Sequence, residues 1–225
     1  HLLRGVDETK DQSYVLFGIR RELLDRMLLP VGSYQKTEIR RIAEETGLNV
    51  ATKKDSQEIC FVTSGKHDQF VRSRRPGIDT SGTIKTVGGD VVGGHDGIER
   101  FTIGQRKGLG VAMGEPYFVV RIDPVSYDVV IGRKEDLATS GLVASRLNWL
   151  VEMEPGREFR GHVQFRYNSQ PVAATTRVVD PGRFEVLFDV PQLGVSPGQA
   201  VVCYDDDRVL GGGWIDTTAG GGQSV

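Results

Sequence analysis

Hydrophobic and polar positions change their spacing twice along this 225-residue chain. Over residues 12–27, Val15, Phe17, Ile19, Leu23, Leu24 and Met27 are spaced unevenly but compatibly with one buried helical stripe, ending before Pro30 and Gly32. Residues 36–46 are cleaner. Ile39, Ile42 and Ala43 fall at i, i+3 and i+4, Glu38, Arg41 and Glu45 take another face, and Gly47 suits the left-handed position that closes a helix. A helix this short does not hold alone in water. It is expected to lie against a sheet, formed by the apolar run at 58–62 or by strands preceding the chain.

From residue 63 to 133 the texture becomes short strands punctuated by glycine. A strand is expected at 82–86, then the turn Gly88-Gly89-Asp90, the pair Val91 and Val92, and the glycine-rich stretch Gly93-Gly94-His95-Asp96-Gly97. Residues 117–123 and 127–132 read as two strands of a hairpin joined across Pro124. After residue 136, alternating runs recur at 143–150, 159–167, 172–179, 184–190, 200–204 and 209–214, with turns at Pro181-Gly182 and Pro197-Gly198. Such a series builds a small antiparallel barrel or sandwich. The polar, glycine-rich C-terminus is expected to be flexible.

Composition narrows the function classes. Apolar residues at 38% and charged residues at 26% describe a globular chain, and 29 glycines against 3 methionines favour turn-rich β structure. A formal charge of −2 excludes a whole-chain electrostatic coater of nucleic acid. Lys66, Arg72, Arg74 and Arg75, opposed by Asp68, make a local basic patch at most. No run approaches the roughly 20 apolar residues of a membrane helix, and no charged-then-apolar leader opens the chain, so a cytoplasmic protein without a membrane partner is expected. Two cysteines, Cys60 and Cys203, are too few for a disulfide framework.

Candidate chemistry is sparse. There is no G-x-x-x-x-G-K-[ST] loop, no H-E-x-x-H and no Cys-x-x-Cys, and His1, His67, His95 and His162 are scattered, so no metal site is expected. Cys60 lies where Lys53-Lys54-Asp55-Ser56-Gln57-Glu58 meets Ile59 and Phe61. It reads either as an inert buried thiol or as a thiol that nearby lysines shift toward the reactive thiolate. Cys203, in the alternating run Val201-Val202-Cys203-Tyr204, reads as inert. Arg106 and Lys107, flanked by Gly104 and Gly108, sit on a loop that either grips phosphate or is a solvated turn. Arg166-Tyr167 pairs a guanidinium with an aromatic ring, a combination that contacts phosphate and stacks on unpaired bases.

Several blocks acquire meaning together. Arg4-Gly5-Val6-Asp7, Lys10-Asp11-Gln12-Ser13-Tyr14, Lys54-Asp55-Ser56-Gln57-Glu58-Ile59-Cys60-Phe61, Phe101-Thr102-Ile103-Gly104-Gln105-Arg106-Lys107-Gly108-Leu109-Gly110, Ser196-Pro197-Gly198-Gln199-Ala200-Val201 and Leu210-Gly211-Gly212-Gly213 closely resemble the tRNA-specific 2-thiouridylase family, in order and over nearly the whole chain. That resemblance implies an α+β multidomain protein. Residues 1–62 would be the C-terminal remnant of an ATP-pyrophosphatase domain, 63–136 a central β-rich domain, 137–218 an antiparallel barrel similar to the second domain of elongation factor Tu, and 219–225 a flexible tail. It implies a sulfurtransferase that activates the wobble uridine of tRNA with ATP and its accompanying magnesium, then moves sulfur from a cysteine persulfide to C2. Cys60 matches the persulfide carrier, fed by a cysteine desulfurase or sulfur-relay protein. Lys10, Asp11, Gln12, Arg166, Tyr167 and Gln199 match residues that touch tRNA, and Arg106 and Lys107 are candidate phosphate contacts. The family's phosphate loop and its other cysteine would precede His1, so a fragment inactive by itself is expected. The rival reading is a non-catalytic RNA-binding barrel with a structural cysteine.

Overall fold

The computed structural model describes residues 1–48, 74 and 77–220, and two sheets carry most of them. Strands β1 (Gly82–Thr86), β2 (Val91–His95), β3 (Phe118–Ile122) and β4 (Val129–Gly132) form a mixed sheet in the order β2-β1-β4-β3. β1 runs parallel to β4, and the other neighbours are antiparallel. Ile84, Val119, Val129 and Ile131 fill its core with Phe101 and Leu109 from the connection between β2 and β3. β2 passes straight through Gly93 and Gly94 of the glycine-rich stretch that follows Val91 and Val92. The pairing Thr83↔Gly94 and Ile84↔Gly93 uses their backbones alone.

β5 (Ala138–Trp149), β6 (Glu158–Gln164), β7 (Val172–Asp180), β8 (Arg183–Leu193), β9 (Ala200–Asp205) and β10 (Arg208–Ala219) close into an antiparallel barrel in the order β10-β5-β8-β7-β6-β9. The choice between barrel and sandwich is decided by β6 pairing with β9, His162 opposite Tyr204 and Gln164 opposite Val202. Alternation sets the interior: on β8, Phe184, Val186 and Phe188 point in while Leu187 and Asp189 face out. They meet Leu142, Ala144, Val163, Ala174, Val201, Cys203 and Ile215 from the other strands. Each large apolar side chain so buried stabilises the barrel by roughly 1.5–3 kcal/mol. β10 continues through Thr217, Thr218 and Ala219, opposite Val143, Leu142 and Gly141. The strand thus runs on through a polar stretch, because a strand needs paired backbone, not apolar side chains. Residues 221–225 lie outside the described residues.

The N-terminal segment departs most from expectation. Instead of one helix over residues 12–27 there is a single turn, α1 (Ser13–Leu16), then a 3-10 stretch at Arg21–Arg26. The Asn148 amide donates to the carbonyls of Phe17 (2.5 Å) and Ile19 (2.8 Å), acceptors that a continuing helix would have used for itself. The break lets Tyr14 and Phe17, with Leu2, bury against Leu150, Ala200, Val202, Tyr204 and Val209 on the barrel. α2 (Lys36–Glu45) forms as read, opened by a capping box in which the Gln35 N–H donates to Glu38 at 3.0 Å and followed by Gly47 at φ +72°. None of its residues is buried among the described residues. The run at 58–62 that was to cover it lies outside them. The described architecture is thus mostly β with little helix.

Candidate functional site

The site is built from the first seventeen residues upward. Asp11 folds this segment around its carboxylate, which accepts from the backbone N–H groups of Gly5 (2.9 Å) and Ser13 (3.0 Å), the Ser13 hydroxyl (2.7 Å) and Arg4 Nε (3.3 Å). Burial opposes its charge, yet these donors outweigh it and hold the carboxyl below its ordinary value. Its side chain is only 8% exposed, so Asp11 faces the chain itself and supports its neighbours Lys10 and Gln12, which are exposed.

A buried relay carries this arrangement into the barrel. The Tyr204 hydroxyl lies 3.3 Å from Ser13 Oγ and 3.2 Å from Gln164 Oε1. Since the Ser13 proton goes to Asp11, the single Tyr204 proton serves both other oxygens. Desolvation pushes the Tyr204 pKa up to about 12, which keeps that proton in place. The Gln164 amide nitrogen in turn donates to the carbonyls of Arg166 and Tyr167, both at 3.0 Å. Tyr14 is tied in separately through its hydroxyl to the Ala200 carbonyl at 2.9 Å. The blocks at residues 10–14 and 166–167, far apart in sequence, are one hydrogen-bonded structure, closed on its outer side by the Gln12 amide donating to the Tyr167 hydroxyl.

This structure forms one wall of a cleft of about 1220 Å³. Tyr14, Phe17, Arg166, Tyr167 and Gln199 line it, together with Arg146, Asn148 and Trp214 of β5 and β10 and residues 102–105 of the β2–β3 connection. Among the described residues no carboxylate lines it. Arg166 packs flat on Gly194, where φ is +72° and a Cβ would come within 2.7 Å of the guanidinium. Among the described residues its Nε and Gln199 Oε1 are buried without hydrogen-bond partners. A guanidinium that donates, an amide oxygen that accepts and aromatic rings can together hold phosphate and bases, and none of the described lining residues is a carboxylate that would hold magnesium. Among the described residues no three His, Cys, Asp or Glu side chains gather for a metal either.

Other candidates fall elsewhere. Arg106 lines a neighbouring cavity of about 510 Å³ with residues 108–111 and 113–117. Lys107 is exposed and lines neither cavity. Cys60, its lysines Lys53 and Lys54, and Lys66, Arg72 and Arg75 of the basic patch lie outside the described residues. Cys203 is fully buried in the barrel, 3.9 Å from Thr176 Oγ1, and burial pushes its thiol up to about 12, which makes it inert. Sequence reasoning missed Arg146, Asn148, Trp214, Gln164 and Tyr204. Only Trp214 carried a signal, an exposed-type aromatic directly after three glycines.

Comparison with known proteins fits this geometry. Residues 1–64 match the family model described as the tRNA methyl transferase HUP domain, 68–133 the tRNA methyl transferase PRC-barrel domain, and 139–215 the aminomethyltransferase beta-barrel domain. The tRNA-specific 2-thiouridylase MnmA of Rhodopirellula baltica is 57% identical over 219 residues, covering 95% of this chain and 55% of that protein. The proteins of the same name from Syntrophotalea carbinolica and Carboxydothermus hydrogenoformans are 46% and 44% identical, each over at least 95% of this chain and 60% and 59% of their own lengths. The chain belongs to the tRNA-specific 2-thiouridylase family. It spans between about half and three fifths of the length of these relatives. Within the family frame the closed barrel occupies the third matched segment and the mixed sheet the second. The cleft draws on all three segments, with Tyr14 from the first, residues 102–105 from the second and Arg166 from the third. No helix among the described residues is long and apolar enough to cross a membrane.

Proposed function

We propose that this chain is the tRNA-holding and sulfur-carrying portion of a cytoplasmic tRNA 2-thiouridylase. The observation that carries the reading is the cleft in which Arg166, Tyr167 and Gln199 converge, with no carboxylate among its described lining residues, on a chain whose net charge is −2. Local chemistry there, not overall charge, suits RNA. A guanidinium takes a phosphate, the Tyr167 ring offers a face to an unpaired base, and the unpartnered Gln199 oxygen accepts from a base or ribose donor. The resemblance of the barrel to the second domain of elongation factor Tu belongs to the same reading.

Cys60 is the sulfur carrier in this proposal, loaded by a desulfurase or relay protein. The terminal sulfur of its persulfide forms a bond to C2 of the activated uridine as the C2 oxygen leaves with its activating group. A second thiol then attacks the Cys60 sulfur, breaking the S–S bond and leaving a disulfide while the transferred sulfur stays on the base. The described residues act earlier, by binding and orienting the RNA.

The test is fluorescence anisotropy with labelled, unmodified tRNA. The Arg166→Ala/Tyr167→Ala chain is expected to bind at least about tenfold more weakly than wild type, since stacking alone is worth about 1–3 kcal/mol per base. Equal affinity, or no binding by wild type, overturns the reading. Intact-mass analysis after incubation with a cysteine desulfurase and cysteine tests the sulfur step: a reducible gain of one sulfur should require Cys60 and not Cys203. Intact RNA binding with no sulfur gain would leave a binding module.

A further inference from the structure

The cleft that Arg166 lines also holds a second pair, Arg146 and Trp214, that the sequence motifs did not single out. Trp214 is 39% exposed on β10, its edge supported by Phe17 with ring centroids 6.3 Å apart. The Arg146 guanidinium lies over the indole, 5.2 Å from its centroid. Among the described residues no carboxylate lines the cleft to hold it there. The backbone is shaped for this pair. Between Asn148↔Gly212 and Ser145↔Trp214, β5 carries one more residue than β10, a bulge at which Arg146 adopts φ +50°. Gly213 makes room for it, since a Cβ there would stand 2.6 Å from the Ser145 carbonyl oxygen. A non-glycine residue held in the left-handed region is strained, and such strain collects where a side chain must be aimed.

We propose that Arg146 and Trp214 form a nucleotide-stacking subsite for an unpaired base of a bound RNA loop. In the free chain the guanidinium covers the indole. When RNA enters, the base takes the indole face and the guanidinium moves onto the adjoining phosphate, so the cation shields an exposed tryptophan until ligand replaces it. The subsite requires single-stranded nucleotides, because a paired base cannot present its face to a side chain. The proposal rests on the reading of the cleft as an RNA surface and adds to it a second contact within the same cleft.

The experiment uses the full 225-residue chain. A stem-loop RNA is expected to quench tryptophan emission in wild type and in Trp149→Phe, where Trp214 is the sole indole, and not in Trp214→Phe. A fully paired duplex of equal length should quench little. Trp214→Leu should weaken stem-loop binding about tenfold, as expected for one lost stacking contact. Arg146→Gly should weaken it about threefold to tenfold with an unchanged or raised melting temperature, since glycine accepts this backbone without strain. A merely structural arginine would give the reverse, a lower melting temperature at full affinity. Unchanged emission on adding stem-loop RNA, or wild-type affinity in both Trp214→Leu and Arg146→Gly, overturns the subsite. If Arg166→Ala/Tyr167→Ala weakens binding while these two variants do not, this subsite alone fails. If wild type binds no RNA, both it and the proposed function fail.

Discussion

Replacing Asp11 tests whether a carboxylate that looks like a surface ligand in sequence is instead what organises the N-terminal segment. Of its four donors, the Ser13 N–H and hydroxyl belong to a residue only 3% exposed, so water cannot replace the lost acceptor. Gly5 and Arg4 are half-buried and can be resolvated, and Arg4 keeps its position over the Tyr204 ring, 5.7 Å from the centroid. Two charge-assisted bonds at roughly 1.5 kcal/mol each put the cost of Asp11→Ala at about 3 kcal/mol. Asp11→Asn keeps one acceptor oxygen and should lose about half of that. Urea unfolding at pH 7 measures both as shifts in midpoint at constant slope.

The pH dependence supplies an independent check. The folded-state pKa of Asp11 lies below its ordinary value of 3.8, so its contribution is complete above the unfolded pKa and is lost as pH falls through the folded one. The stability gap between wild type and Asp11→Asn should therefore be full at pH 7 and narrow below about pH 4. A loss under about 0.5 kcal/mol for Asp11→Ala, the size of an ordinary surface substitution, would refute the account, as would a gap that does not change with pH.

Three further outcomes follow from the same geometry. Tyr204→Phe removes the proton shared by Gln164 and Ser13, and should cost about 1–2 kcal/mol in urea unfolding while weakening tRNA binding severalfold through the loosened Arg166-Tyr167 backbone; wild-type affinity in this variant would show that the relay does not position the loop. Gly194→Ala sets a methyl group where the Arg166 guanidinium lies and forces a left-handed alanine, so a stability loss of about 1 kcal/mol should accompany weaker binding, and anisotropy at wild-type level would count against Arg166 as a phosphate contact. In a Cys60→Ser chain, Cys203 should stay unreactive toward a thiol reagent until urea unfolds the barrel; rapid labelling in buffer would contradict its burial.

What the sequence disclosed and what it concealed divide along physical lines. The barrel strands were legible because a closed sheet buries every second side chain, and Phe184, Val186 and Phe188 print that period directly. α2 was legible for the matching reason at period 3.6, with Gln35, Glu38 and Gly47 marking its ends. Residues 12–27 misled because Tyr14 and Phe17 are apolar for the sake of a neighbour more than a hundred residues away, and that neighbour also supplies Asn148 to stop the helix. Arg166, Tyr167 and Gln199 could be named as separate motif residues, but the tie of Arg166 and Tyr167 to the N-terminal block runs through Gln164 and Tyr204, which inside alternating strands look like ordinary positions. Arg146 had no signal at all, since a positive φ in a bulge is imposed by the pairing register and not by the residue that adopts it.

The distribution of arginine partners decides how strongly salt should act on RNA binding. Arg160, Arg177 and Arg183 each face a carboxylate, Asp189, Glu185 and Asp180, and contribute little to an outside anion. Arg146 and Arg166 line a cleft with no carboxylate among its described residues, which leaves their charge for a ligand. If these two alone meet phosphate, the logarithm of affinity against the logarithm of salt concentration should fall with a slope of about −1.4 for single-stranded RNA. If Lys10, Arg106 and Lys107 join them, as the motif blocks suggest, five contacts bring the slope to about −3.5. A titration between low and physiological salt separates the two, and the matching alanine variants assign the difference. A slope near zero would remove phosphate from the account. A shallow slope would mean that affinity comes mainly from stacking on Tyr167 and Trp214, which every base satisfies about equally well. The cleft would then hold an RNA loop without reading its sequence, and the choice of target nucleotide would have to be made outside it.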